Sequence, residues 1–528
     1  MGQAELLIAG VLVAVVVLSE VARRLSLPYP IVLVVGGAVF GLIPGTPTVN
    51  LNPDVVLVVF LPPLLYSAAF FANFADIRRN ARAITLSSVA LVLATMCAVA
   101  VVAHAVINGL SWAGAFVLGA VVSPTDPLAG AAIMRRLGFG RRLVSTVEAE
   151  GLFNDATALV AYRVAIAAAV GSSFSLANAS LKFVLGAAGG IGIGLVVGWV
   201  VAWVRARVSD ELESITISLL SGYAAFIPAN ALGLSGVLAA VTTGIYMGLR
   251  GPRIIPARVR LQGFFVWELL DFLLNAALFV LVGLQLRTIV DRLGGYSAGS
   301  LVWYSLAVAG VVMAMRLVWV LTTPYVIRAL DRRPSQRARR VGWRERTVLG
   351  WAGMRGAVSL AAALAIPLET HAHDPFPQRD LLIFLTFAVI FATLVLQGLS
   401  LPSVIRLLRL DDGGGEVEEE ELRARLVATK AALDQIDELA AEEWTRDETV
   451  ERMRALYQYR KRRFAARAGK IEDDGYEDRS LAYQQMVVAV LAAQREALVR
   501  LRNEGTISNE VMNRVVRDFD LEESRLEI

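Results

Sequence analysis

Two aspartates stand where a chain has little reason to keep a charge. Asp126 falls within "AFVLGAVVSPTDPLAGAAIM" and Asp155 within "GLFNDATALV", both largely apolar stretches, and nothing nearby in sequence neutralises Asp155. A charged side chain at the centre of a bilayer costs from about 2.5 to more than 10 kcal/mol by different measures, so such an acid is a candidate functional group. Carboxylates brought close together repel, and either a proton or a cation relieves the repulsion. A pair of this kind offers one place to two competing occupants. The competing interpretation is that each acid is held by a neighbouring Ser, Thr, Asn or Arg for packing alone.

The composition says what surrounds these acids. Of 528 residues, 56% are hydrophobic and the mean hydropathy is +0.58, above the roughly 45–50% apolar content of soluble domains. Residues 1–410 read as apolar blocks and 411–528 as a charged stretch, which divides the chain into a polytopic membrane domain and a soluble tail. A formal net charge of +4 is too small to suggest a nucleic-acid partner. The single cysteine, Cys97, excludes an intramolecular disulfide and a cysteine-based metal site, and its apolar neighbours predict a buried position. The first apolar block, "LLIAGVLVAVVVL", follows Glu5 rather than a basic region and is read as a span, not a signal peptide.

A helix needs about 20 apolar residues to cross the hydrocarbon layer. That ruler gives thirteen spans, approximately 5–22, 28–44, 53–72, 84–105, 111–134, 145–170, 180–204, 212–230, 234–249, 264–286, 300–328, 346–367 and 380–408. Basic residues provide an independent check, because they collect on the cytoplasmic side. Loops after odd-numbered spans hold Arg23 and Arg24, Arg78 and Arg82, Arg135 and Arg136, Arg205 and Arg207, Arg250 to Arg260, and a cluster from Arg328 to Arg346. The opposite side has only Lys182, Arg287, Arg292 and Arg379. The N-terminus is therefore expected outside and the tail in the cytoplasm.

Thirteen spans divide as six, one and six, which makes the two six-helix halves inverted repeats, a plan of secondary transporters whose sites form at interrupted helices. The equivalent spans are the fifth and the twelfth. In the fifth, Pro124 and Pro127 bracket Thr125 and Asp126; in the twelfth, Gly353 and Gly356 bracket Met354 and Arg355. Both are expected to be broken at mid-depth. On span 6, at 100° per residue, Glu148 shares a face with Asp155 roughly 10 Å nearer the cytoplasm, and Glu150 points about 140° away. Glu148 reads either as the lining of an inner funnel or as a boundary residue. Glu150 reads as the partner of a buried arginine, Arg355 first.

"SPTDPLA", "EGLFNDA", "FLPPLLY" and "GMRGAVS" resemble the motifs of the monovalent cation/proton antiporter family, in its electroneutral sodium/proton exchanger branch. The resemblance covers about residues 5–410. It implies an all-α exchanger that swaps a monovalent cation (sodium, potassium or lithium) for protons across the plasma membrane, in pH and cation homeostasis, as a homodimer and without a cofactor. Asp155 is then the carboxylate that binds cation and proton in turn, Asp126 and Thr125 assist it, and Asn154 orients it. Glu150 pairs with Arg355. An Asn before the key Asp is typical of electroneutral members. Gly151 stands where relatives often have Ser, and Ser67 where many have a carboxylate.

Other classes fit less well. An intramembrane aspartyl protease needs a G-x-G-D motif that "GLFND" lacks, and a channel has no use for broken helices in inverted halves. Gly186, Gly190, Gly194 and Gly198 repeat every fourth residue, which suits close helix packing rather than a nucleotide loop. Arg316, inside span 11, needs an internal partner, with Glu268 and Asp271 as candidates. His371 and His373 form an H-x-H in an outer loop, and His104 closes span 4. The tail reads as a helical accessory domain, either regulatory or oligomerising, or a plain solvated bundle.

Overall fold

A computed structural model describes residues 3–25, 27–43, 53–136, 139, 141–171, 176–330, 341–370, 374–410, 414–472, 474–524 and 526. His371 and His373 lie outside the described residues, as does much of the cluster between Arg328 and Arg346. The chain forms two compact units, Met1–Asp412 and Gly413–Ile528.

The first unit begins with α1 (Gln3–Arg24), α2 (Tyr29–Leu42), α3 (Pro53–Phe70) and α4 (Phe74–Thr85), which runs through a π-helical turn at Leu86–Leu91 into α5 (Val92–Val106). Next come the short α6 (Trp112–Val122) and α7 (Pro127–Arg136), then α8 (Arg141–Val170), α9 (Leu176–Arg205), α10 (Glu211–Ala231), α11 (Gly236–Ile254), α12 (Ala257–Asp291) and α13 (Ala298–Leu330). A second short pair follows, α14 (Trp343–Trp351) and α15 (Ala357–Leu364). The unit closes with α16 (Arg379–Ala392), a π-helical turn at Thr393–Gln397 and α17 (Gly398–Leu408). Among the described residues there is no strand, only an isolated bridge between Glu369 and Pro375. Among the described residues, seven continuous helical runs are long and apolar enough to cross a membrane, two of them passing through the π-helical turns, and three shorter helices are apolar. Each expected span coincides with one helix or with a pair of half-helices.

Both expected breaks are present. Span 5 is α6 and α7 separated by Ser123–Asp126, and span 12 is α14 and α15 separated by Ala352–Gly356. Proline explains the first: Pro127 has no N–H and favours the first turn of a helix, so it starts α7 rather than continuing α6. A related effect shapes α3, where Pro63 cannot donate to Val59 O. Tyr223 of α10 supplies the missing donor from its hydroxyl at 2.7 Å, and Gly222 lets α10 lie against the backbone of Pro62.

The four-residue glycine repeat on α9 is a packing seam. A Cβ on Gly194 would come 2.5 Å from Ala239 O, and one on Gly198 would come 3.0 Å from Tyr246 Cβ. The bared carbonyls are used: Thr243 Oγ1 donates to Gly194 O at 2.9 Å, and Ser235 N donates to Gly186 O at 3.0 Å. One expectation fails. Cys97 is exposed on α5, on the outside of the helix assembly. Its apolar neighbours reflected membrane, not core.

The second unit holds α18 (Gly414–Leu439), α19 (Asp447–Arg467), α20 (Tyr476–Asn503) and α21 (Asn509–Glu523). Its apolar core is thin, with Leu422, Ile436 and Leu491 buried. Ion pairs add to it: Arg454 to Asp437 at 2.6 Å links α18 and α19, and Arg495 reaches Asp520 at 2.7 Å and Glu523 at 2.5 Å from α20 to α21.

The seam makes a direct prediction. Gly194→Ala should lower stability by about 1–3 kcal/mol through overpacking. Gly186→Ala, whose added methyl would meet nothing within 4 Å, should change it by no more than about 0.5 kcal/mol. Thermal unfolding in detergent compares the two, and equal losses would refute the seam.

Candidate ion-binding site

The two breaks cross each other and are stitched by backbone: Asp126 N donates to Met354 O at 2.8 Å. Each break leaves a helix C-terminus with unpaired carbonyls and a helix N-terminus with unpaired N–H groups, inside an apolar layer. Arg355, 1% exposed, serves the first C-terminus. Its Nε donates to Val122 O at 3.0 Å, its Nη2 to Ser123 O at 3.4 Å, and its Nη1 to Gly353 O. Thr393 Oγ1, in the π-helical turn, accepts from Arg355 N at 3.1 Å. Arg316 of α13 serves the second C-terminus, donating from Nη2 to Leu349 O at 3.2 Å. A cation suits each place, because the end of a helix macrodipole is negative there.

The expected ion pair is thereby corrected. Glu150 is buried and pairs with an arginine, as the helical wheel required, but the arginine is Arg316. The physical reason is that orphan carbonyls already occupy the Arg355 guanidinium. The acids proposed for Arg316 are elsewhere: Asp271 accepts from Ser67 Oγ at 2.7 Å, and Glu268 is exposed. Glu148 pairs with Arg135 at the rim of the unit, so its charge is compensated there rather than left to line a funnel.

The N-terminal ends face the acids. Asp126 immediately precedes α7, and its carboxylate lies against Gly356, the residue that caps α15, where a methyl would have no room. Gly353 gives the same clearance to the Arg316 side chain. On α8, Gly151 brings the helix against Pro127, since a Cβ would come 2.5 Å from its ring. That close approach explains why a larger residue is absent from position 151 here.

Asp155 is 8% exposed, near enough to Asp126 for the two carboxylates to repel, and forms no ion pair among the described residues. Asn154, 1% exposed, is clamped to the break: its Nδ2 donates to Thr125 Oγ1 at 2.6 Å and lies 3.5 Å from Thr125 O. A backbone carbonyl only accepts, which fixes the amide's orientation. The other end, Oδ1, is buried with no hydrogen-bond partner among the described residues. Thr125, Asp126, Asn154 and Asp155 thus converge as an oxygen-rich group at the crossing. Such a group suits a hard cation or a proton.

The sequence of residues 10–407 matches the profile of the sodium/hydrogen exchanger, transmembrane, family. The chain belongs to the transmembrane sodium/hydrogen exchanger family. It is 38% identical over 523 residues to an uncharacterized Na(+)/H(+) exchanger of Mycobacterium tuberculosis, covering 98% of this chain and 95% of that one. It is 30% identical to the Na(+)/H(+) antiporter ApNhaP of Aphanothece halophytica, over 82% of this chain and 79% of that one. A sodium, potassium, lithium and rubidium/H(+) antiporter of Bacillus subtilis is also 30% identical, over 75% and 61% respectively. The solved sodium proton antiporter MjNhaP1 from Methanocaldococcus jannaschii shares the fold, with a TM-score of 0.60 at 20% identity over 78% of this chain and 100% of that one.

Within this exchanger, sequence reasoning overlooked Arg163, although an arginine inside "ALVAYRVAI" is a visible signal. It reaches from α8 to Asn230 Oδ1 and to Leu234 O at 3.1 Å, at the turn between α10 and α11. The Ser67–Asp271 pair was missed because its members lie 204 residues apart.

Removing one partner of a buried ion pair costs about 3–5 kcal/mol, because the other charge is left alone. Glu150→Ala and Arg316→Ala should each lose stability of that order, and the double variant should recover part of it. Additive losses in a double-mutant cycle would mean that the pair is not coupled.

Proposed function

We propose that this exchanger is a secondary antiporter that moves a cytoplasmic monovalent cation outward in exchange for an external proton. The observation that carries the proposal is the convergence on the crossing of two half-helix pairs of Asp155, Asp126 and the Asn154 Oδ1, which has no partner among the described residues. Asp155 takes the proton and the cation in turn. Asp126 offers charge from the helix ends, Thr125 and Asn154 fix the geometry, and Arg316, Glu150 and Arg355 hold the crossing. The names of the relatives make sodium, potassium and lithium the ions to test. No resident cofactor enters the scheme. The proposed setting is the plasma membrane, with thirteen spans in two inverted halves, the N-terminus outside, residues 411–528 in the cytoplasm, and a homodimeric assembly. The alternation of basic loops supports that orientation.

The scheme fixes a stoichiometry. Asn154 cannot titrate, and its amide is committed to Thr125. If Asp155 alone changes occupancy, one proton replaces one cation and no net charge crosses. A second titrating acid would carry charge and respond to voltage.

Asp155→Asn should abolish sodium-driven proton flux in proteoliposomes while the protein stays folded, since an amide cannot alternate between proton and cation. Flux retained above about a tenth of the wild-type rate would remove Asp155 from the mechanism. In the wild type, a potential imposed with potassium and valinomycin should leave the flux unchanged, provided potassium is not itself carried. A rate that changes several-fold would show that two acids cycle.

A further inference from the structure

Asp271 is a carboxylate within the apolar layer that the crossing does not use. It lies seven residues beyond Phe264, where the apolar run of α12 begins, and therefore about 10 Å along the helix. That end of α12 carries Arg258 and Arg260, the basic-loop side. Ser67, near the same-side end of α3, donates to Asp271 Oδ1 at 2.7 Å. Asp271 forms no ion pair among the described residues. Its hydroxyl partner orients the carboxylate without cancelling its charge, which an arginine would do.

The position links two regions. Tyr29, at the start of α2, interacts electrostatically with both Asp271 and Asp126, and its ring centroid lies 5.9 Å from that of Phe272. Asp271 therefore stands between the basic-loop surface and the crossing, within range of the same tyrosine as Asp126. Glu148, an acid of α8 near its basic-loop end, is already paired with Arg135, and Glu268, one turn before Asp271 on α12, is exposed. Beyond Asp271, the crossing offers a ligand atom of its own in the buried Asn154 Oδ1, which no described residue partners.

We infer that Asp271, oriented by Ser67, receives the monovalent cation on the cytoplasmic side and passes it to Asp126 and Asp155. The inference rests on the exchange reading above. A carboxylate on the way from the basic-loop surface to a buried site raises the local concentration of cations. Its loss weakens capture and leaves the exchange at Asp155 intact. The role is one of cation capture, separate from the alternation of proton and cation.

The test uses the full chain in proteoliposomes, with sodium-driven proton flux measured against sodium concentration. Asp271→Asn keeps a hydrogen-bonding partner for Ser67 and removes the charge. It should raise the half-saturating sodium concentration about tenfold and leave the maximal rate nearly unchanged, the pattern of lost ground-state binding. The swap Ser67→Asp with Asp271→Ser returns a carboxylate to the same place and should restore half-saturation to within about threefold of wild type. An unchanged half-saturation in Asp271→Asn overturns the inference. So does a swap variant as impaired as Asp271→Asn, because the role would then be structural. If Asp271→Asn does not fold, Asp271→Glu is expected to keep wild-type half-saturation, and a weakened value there overturns the proposal as well. Asp155→Asn in the same assay separates the two readings. Active wild type, inactive Asp155→Asn and normal Asp271→Asn would remove only the Asp271 role.

Discussion

The structure depends on one constraint: backbone polar groups within an apolar layer must find partners inside the protein. Breaking two helices at mid-depth creates two C-termini and two N-termini there, each with up to four unpaired groups. Arg355 and Arg316 take up carbonyls at the C-termini, and Asp126 N closes the crossing through Met354 O. The neighbouring features follow from these contacts. Arg316 brings a second cation close to Arg355, and Glu150 compensates it from α8. Gly353 and Gly356 are small because a guanidinium and a carboxylate occupy the space where side chains would be.

This arrangement separates two kinds of charge. Glu150, Arg316 and Arg355 are committed to each other and to backbone, so their positions are fixed. Asp155 is buried beside Asp126 and forms no ion pair among the described residues. A proton would neutralise this carboxylate and a cation would balance it, and the antiport role proposed for Asp155 draws on that alternative. Asn154 belongs to both groups. One end of its amide is locked to Thr125, and the other is a buried oxygen that no described residue satisfies. An unmet buried acceptor costs about 1–3 kcal/mol, a cost that a cation bound at the proposed site would offset.

Around the crossing, packing is set largely by small residues. The α9–α11 seam and the approach of α10 to α3 both place backbone against backbone, through Gly194 and Gly222 respectively. Helices in lipid gain little from burying apolar surface against each other, so close contact and hydrogen bonds such as Thr243 Oγ1 to Gly194 O carry the association. The tail unit is held differently, by a thin apolar core and exposed arginine–carboxylate pairs.

Much of this was legible in the sequence because the signals are local. Apolar runs of spanning length, prolines around Asp126, glycines around Arg355 and a four-residue glycine repeat each act within a helix turn or two, and the helices, breaks and seam appear where they were expected. The rotation between Glu150 and Asp155 was also local, a matter of 100° per residue. Partner choice was not. That Glu150 would meet some arginine followed from burying a charge, but the identity of Arg316 depended on Arg355 being occupied by Val122 and Ser123 carbonyls, 233 and 232 positions away. The same limit hid Ser67 from Asp271, and it misplaced Cys97, whose apolar neighbours could mean either core or lipid. Sequence determined which residues must be buried and which helices must break; only the tertiary structure decided which charge neutralises which, because electrostatic pairing depends on distance in space and not on position along the chain.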